Sequence, residues 1–216
     1  MDFVADLNPE QQKAVQIQSG PILILAGAGS GKTRVITYRI AYLVKKGYAR
    51  PHNILAITFT NKAADEMRNR IAVLLRDEPP VWIRTFHSTC AKILRDSLIH
   101  NKGLRHIVGV NEKYSIYDDQ DQLSVVKEVL KEMDLDLQDF SPSLISETIN
   151  RYKENLIAPG IARDEPMAEM YQRYDKKLRE YNALDFDDLI MKTVEVFDKD
   201  SGTLEYYQDR FRHIMV

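Results

Sequence analysis

The sequence predicts an α/β fold in which a parallel sheet covered by helices is followed by a helical block. Three observations predict it. Short apolar runs alternate with amphipathic stretches through the first hundred residues, the first such junction is the glycine-rich AGAGSGKT, and from about residue 111 the strand signal gives way to helical periodicity.

The elements follow in chain order. Residues 22–26, ILILA, form a continuous apolar run that ends in glycine, as a buried parallel strand does, and TRVITYRIAYLVKKG then carries helical spacing up to Gly47. A second run, NILAITF, leads into TNKAADEMRNRIAVLLRD, where Ala63, Met67, Ile71 and Leu74 or Leu75 recur at three- and four-residue intervals. A third, VWIRTF, follows the Pro79-Pro80 break and hands over to helical HSTCAKILRDSLI. Repeated βα units of this kind imply a parallel sheet with helices on both faces.

Beyond them, DQDQLSVVKEVLKEMD places Leu123, Val126, Val129 or Leu130, and Met133 on one helix face. SPSLISETINRYKENL begins with Ser141 as N-cap and Pro142 at the first helical position. AEMYQRYDKKLREYN carries a stripe of Met170, Tyr171, Tyr174, Leu178 and Tyr181 that reads as core. The closing FRHIMV reads as the start of another buried strand.

Composition bounds what such a chain does. Its 216 residues suffice for one well-buried core, or a core with a satellite domain, hiding roughly 70% of the unfolded surface. With 44% hydrophobic and 29% charged residues it is no disordered tail, and a formal charge of −2 gives no overall attraction for nucleic acid or membrane. Any basic binding surface is therefore local. The single cysteine, Cys90, makes no internal disulfide and reads as a small core residue, and no Cys/His cluster has zinc-site spacing. MDFVADLNPEQQ lacks the positive-then-apolar order of a signal peptide, so a soluble cytoplasmic protein without membrane contact is expected.

The segment Ala26 to Thr33 matches the phosphate-loop pattern G-x-x-x-x-G-K-[ST], with Ala26 in place of the first glycine. The nucleotide-binding residues expected from it are Ala28, Gly29, Ser30, Gly31, Lys32 and Thr33. Backbone N–H groups from Gly29 to Thr33 point at phosphate oxygens, and the next helix adds the positive end of its dipole. Lys32 reaches the terminal phosphates and the Thr33 hydroxyl ligates Mg²⁺. A ligand-free glycine turn is the bland alternative. The loop names a nucleoside triphosphate and is silent on the work done with it.

Five ordered motifs, LNPEQQKAV, AGAGSGKTR, ILAITFTNKAADEM, TFHS and LDFDDL, cover essentially the whole chain. Together they resemble the N-terminal part of the UvrD/Rep/PcrA helicases of superfamily 1, closest to the PcrA type. The resemblance implies a RecA-like P-loop NTPase parallel sheet, an incomplete lobe, with an inserted all-helical subdomain. Residues 1–110 would be the first part of the lobe, 111–183 the insertion and 184–216 the return. It implies that Gln11 reads adenine, its amide both donating and accepting, and that Arg34 lies against the adenine ring. Asn8, Pro9 and Gln11 also make a variant capping box, and the two roles are compatible.

For single-stranded DNA the resemblance implies Phe59 as a base-stacking ring, Thr60 and Asn61 as phosphate donors, further contacts from Thr85 and His87, and Phe186 as a second ring opposite the Phe59 loop. Each has a structural alternative. Thr60 or Asn61 caps the following helix, Phe59 packs inward, and His87 is structural. LDFDDL reads locally as an Asp185 N-cap with Asp187 and Asp188 complementing the helix dipole, which leaves Phe186 unexplained.

The implied activity is that of an ATP-dependent 3′–5′ DNA helicase or translocase of DNA repair or replication. It would use ATP with Mg²⁺ through catalytic Lys32 and Thr33, on single strands and single/double-strand junctions, with repair or replication accessory proteins. Binding would be sequence-independent and salt-dependent. In that family an acidic pair and a glutamine follow the strand resembling RHIMV, whereas this sequence stops at Val216. An N-terminal fragment ending just before the Walker B motif is therefore expected, binding ATP and DNA weakly without turnover. A helicase–nuclease subunit of the RecB/AddA type, a non-catalytic nucleic-acid-binding module and a P-loop phosphotransferase are the alternatives.

Overall fold

Local sequence chemistry fixes where most helices begin. In the computed structural model, which describes residues 4–27, 29–76, 80–136, 139–161 and 165–216, α1 (Pro9–Gln16) opens with a capping box. The Asn8 side chain accepts from the Gln11 N–H, and the Gln11 side chain accepts from the Asn8 N–H. Helix α2 (Lys32–Lys45) starts at Gly31, and Gly47 turns the chain away with φ +73°. Strand β1 (Ile54–Thr58) passes to α3 (Asn61–Leu75) through Thr60, whose hydroxyl accepts from the Ala63 N–H. Strand β2 (Trp82–Thr85) runs directly into α4 (Phe86–His100), followed by α5 (Arg105–Val108) and β3 (Ser115–Tyr117). Asp118 caps α6 (Asp119–Glu132), and Pro142 opens α7 (Pro142–Glu154) after Ser141, whose side chain makes no capping bond. The remainder is α8 (Glu165–Glu180), β4 (Ala183–Asp185), α9 (Phe186–Lys199), α10 (Ser201–Arg210) and β5 (His213–Met215).

The chain divides into two compact units, residues 1–86 with 205–216, and residues 87–204. In the first, three parallel strands lie in the order β2-β1-β5, with Leu55 opposite both Trp82 and Ile214, and Thr58 opposite Thr85. Ile54 and Ala56 face one side, where they join Ile40 and Leu43 of α2 and Met67 and Ile71 of α3. Helix α3 buries Ala64, Met67, Ile71 and Leu75, the expected stripe with Ala64 taking the first slot. Trp82 packs on Phe211 with ring centroids 5.0 Å apart, and Phe211 stacks on Tyr207. Val4, Leu7, Val15 and Val35 form a smaller cluster that ties α1 to α2.

Residues 22–26 are not the strand that their composition predicts. They carry no ladder, and Leu23 and Leu25 are 82% and 86% exposed. Apolar side chains qualify a segment for burial, but a strand also needs a neighbour to take its N–H and C=O groups, and among the described residues no strand pairs with this segment. FRHIMV does yield a strand, but an edge one, with Ile214 61% exposed instead of buried. The Pro79 half of the expected Pro-Pro break lies outside the described residues.

In the second unit the strand signal does not end at residue 111. Strands β3 and β4 form a parallel ladder, Ser115 to Tyr117 against Ala183 to Asp185. Three-residue strands are too short to show periodicity, so pattern reading passes over them. Leu94, Leu98, Ile107, Leu189 and Val196 form one core with half-buried Cys90 packed on it. Val126, Val129, Leu130, Ile149, Tyr171, Tyr174 and Leu178 form the other. Gln122 takes the buried place expected of Leu123 and bonds to the Asn150 amide. Tyr181, expected in the core stripe, is 42% exposed because its hydroxyl donates to the Glu128 carboxylate. No helix among the described residues is long and apolar enough to cross a membrane.

Candidate nucleotide loop and nucleic-acid interface

The turn into α2 is shaped by two glycines in the left-handed region, Gly29 at φ +76° and Gly31 at φ +86°, where any other residue is strained. Gly31 is also limited by space, since a Cβ there would stand 3.0 Å from Gln11 Nε2. No side chain caps α2 at Gly31, so the first-turn N–H groups of this helix remain available to an anion. Lys32 folds back over the loop and donates to the carbonyls of Ala26 and Gly27 at 2.8 and 2.7 Å. The Ser30 hydroxyl also donates to Gly27 O, at 2.7 Å. Thr33 is exposed one position on, and Ala28 lies outside the described residues.

Gln11 reaches the same loop from α1. Its Nε2 donates to Ser30 O at 3.1 Å while its Oε1 accepts the Asn8 N–H, so both ends of the amide are engaged and the capping alternative is realised in full. Arg34 donates to Asp6 O at 3.1 Å and places its guanidinium 5.4 Å from the Tyr38 ring centroid. An uncapped helix N-terminus, two left-handed glycines and an adjacent ammonium suit a triphosphate. One hydroxyl, Thr33, suits a Mg²⁺ ion that keeps most of its waters.

The sheet in the same unit positions the next group. Thr58 and Thr85 end β1 and β2 in register, and both are buried. Phe59 follows Thr58 and is 86% exposed, its ring tilted at 57° to Phe86 with centroids 5.8 Å apart. The ring thus does not pack inward. Thr60 spends its hydroxyl as the α3 cap, and exposed Asn61 is the first residue of that helix.

In the second unit Phe186 opens α9 at 44% exposure, edge-on to exposed His87 at 85° and 5.9 Å. Around it the acidic motif does more than complement a dipole. Asp185 and Asp188 form a capping box, Asp185 Oδ1 accepting the Asp188 N–H at 2.9 Å and Asp188 Oδ2 accepting the Asp185 N–H at 3.3 Å. Both are buried, and so is Lys153, whose Nζ lies 2.5 Å from Asp185 Oδ2 and 2.8 Å from Asp188 Oδ1. The Tyr174 hydroxyl donates to Asp185 Oδ2 at 2.8 Å.

Burial alone would push the Lys153 ammonium down, but the two carboxylate charges and hydrogen bonds carry it above the ordinary lysine range. Burial likewise opposes ionisation of Asp185, yet Lys153, the Asp188 N–H and Tyr174 hold it below the usual carboxylate range. Asp188 is pushed up to about 6 by burial and by the Asp185 charge, with Lys153 opposing. Asp185 Oδ2 takes both the Lys153 ammonium and the Tyr174 hydroxyl, whereas Asp188 Oδ1 has the ammonium at 2.8 Å. Sequence reading missed Lys153. The available signal was its place at four-residue steps after Ile145 and Ile149, a lysine on the buried face of α7.

A family model described as the UvrD/REP helicase N-terminal domain matches residues 7–216. The chain is 46% identical over 222 aligned residues to the ATP-dependent DNA helicase PcrA of Bacillus subtilis strain 168, covering 99% of this chain and 29% of that protein. It is 44% identical to the PcrA helicase of Staphylococcus epidermidis strain RP62A, covering 99% of this chain and 30% of that one. Against the PcrA helicase of Staphylococcus aureus strain Mu50 the identity is 44%, with 97% and 29% covered. The chain thus spans under a third of the length of these relatives.

Proposed function

The chain belongs to the UvrD/REP helicase N-terminal domain family, and on that premise we propose that it is the nucleotide- and DNA-binding N-terminal portion of an ATP-dependent 3′–5′ DNA helicase. The observation that carries the reading is an 86%-exposed Phe59 at the C-terminal end of a parallel strand, in the same compact unit as the glycine loop. Exposing such a ring to water is unfavourable unless something flat covers it, and every base has a flat face.

Each residue then has a task. The N–H groups from Gly29 to Thr33 and the Lys32 ammonium hold phosphate oxygens once Lys32 leaves the Ala26 and Gly27 carbonyls. Gln11 turns its amide from Ser30 to adenine, and Arg34 lies along the ring. Mg²⁺, held by the Thr33 hydroxyl, would neutralise charge on the phosphates. Phe59 and Phe186 stack on bases, and Thr60, Asn61, Thr85 and His87 supply polar contacts to the strand.

In the same reading the sheet-bearing unit is a RecA-like lobe built from residues 1–110 and 184–216, with 111–183 as its inserted helical subdomain. That division follows the helicase resemblance, whereas the two compact units follow contacts, so their boundaries need not coincide. The parent works in the cytoplasm on single strands and junctions during repair or replication, with accessory proteins of those pathways.

Fluorescent ATP and labelled oligo(dT), titrated separately into the chain, test this. Lys32→Ala is expected to abolish nucleotide binding and spare DNA, and Phe59→Ala to do the reverse. Oligonucleotide affinity unchanged by Phe59→Ala refutes the DNA assignment.

A further inference from the structure

Lys153 is wholly buried, yet it is built into the start of the helix that carries Phe186. It lies near the C-terminal end of α7, and Tyr174 comes from α8, so three elements meet at the Asp185 and Asp188 carboxylates. Asp185 and Asp188 are the two partners of the α9 capping box, and Phe186 stands between them in sequence. The backbone on either side of the ring is therefore anchored by side chains that water does not reach. Burying an ammonium is a poor route to stability, since apolar residues of similar volume commonly serve as well. What the lysine adds is a shared point of attachment, because one buried ammonium holds both carboxylates, 2.5 Å from Asp185 Oδ2 and 2.8 Å from Asp188 Oδ1.

We propose that Lys153 is a positioning residue for the nucleic-acid contact: by clamping Asp185 and Asp188 it fixes how Phe186 leaves the first turn of α9, and so presents the ring, edge-on to His87, already oriented for a base. Pre-ordering the ring spares the complex the cost of ordering it on binding. The inference rests on the reading of Phe186 as a base-stacking residue.

The test separates clamp from stacking. The chain is made with 4-fluorophenylalanine in place of Phe186, and the ¹⁹F resonance is compared in the parent, Lys153→Met and Tyr174→Phe. Tyr174→Phe removes one hydroxyl and no charge, and carries the test if Lys153→Met does not fold. The parent is expected to give a narrow line displaced by the His87 ring, and the variants a line broadened or shifted toward the free amino acid. In parallel, oligo(dT) affinity is measured for the parent, Lys153→Met, Phe186→Ala and the double variant. Stacking on one ring corresponds to about 5- to 150-fold in affinity. Lys153→Met should lose part of that factor when Phe186 is present and nothing further when it is absent.

A ¹⁹F line unmoved in both variants overturns the proposal whatever the DNA affinities. An equal loss of affinity with and without Phe186 also overturns it, since Lys153 then acts on the fold at large. A line that moves while Phe186→Ala binds as tightly as the parent upholds the clamp and refutes the stacking reading alone.

Discussion

Replacing Asp188 by asparagine keeps the shape of the buried cluster and removes one of its charges. The asparagine carbonyl can still accept the Asp185 N–H, so the capping box survives. In the parent, Asp188 ionises with its pKa pushed up to about 6, against 3.8 for an ordinary aspartate, because burial and the Asp185 charge disfavour the carboxylate. A carboxyl with a raised folded-state pKa holds its proton more tightly folded than unfolded. Its contribution is therefore favourable at low pH and is lost as the pH rises from about 4 to about 6. The pKa difference spans roughly two units at about 1.4 kcal/mol each, so the ceiling is on the order of 3 kcal/mol. Asp185 works in the opposite sense, with a lowered pKa whose stabilisation appears as pH rises, but it is present in both proteins and largely drops out of their difference. Urea denaturation of parent and Asp188→Asn at several pH values from 4 to 7.5 gives that difference. The parent should lose about 1–3 kcal/mol relative to the variant between pH 4 and pH 6.5, and nothing more above it. A pH-independent difference, or one of opposite sign, refutes the assignment of the raised pKa to Asp188.

Three further outcomes follow from the geometry. Gly31→Ala should destabilise the chain by about 1–2 kcal/mol and displace the Gln11 amide from Ser30 O, whereas Gly29→Ala, with open space around it, should suffer from backbone strain alone; thermal melts and nucleotide titration report both. Phe59→Ala should leave stability within about 0.5 kcal/mol of the parent, as befits an exposed ring, while oligo(dT) affinity measured by fluorescence anisotropy falls by about 1–3 kcal/mol. Asn8→Ala removes an acceptor from the first turn of α1 and should cost about 1 kcal/mol in a denaturant melt.

What was legible in the sequence is what local chemistry decides. Asn8, Thr60 and Asp185 cap their helices because short acceptor side chains at those points have N–H groups three residues on. The α3 stripe was readable from periodicity, and strands β1 and β2 from short apolar runs. What was not legible depends on partners far away in the chain. Residues 22–26 have strand composition but pair with no described strand, and β3 finds β4 across a separation that no local pattern encodes. The acidic motif looked complete as a cap and dipole, and only the fold brings Lys153 and Tyr174 to it. In the candidate site the exposure of Phe59 shows that the ring does not pack inward, while the Lys32 contacts with its own loop could not be read from the letters GKT.

The most direct test of the central claim is steady-state ATP hydrolysis by the longer parent protein, with and without a single-stranded oligonucleotide. The account predicts strong stimulation by DNA that disappears in Phe59→Ala combined with Phe186→Ala, while DNA-free turnover persists. Turnover indifferent to DNA, or stimulation that survives the loss of both rings, would contradict it.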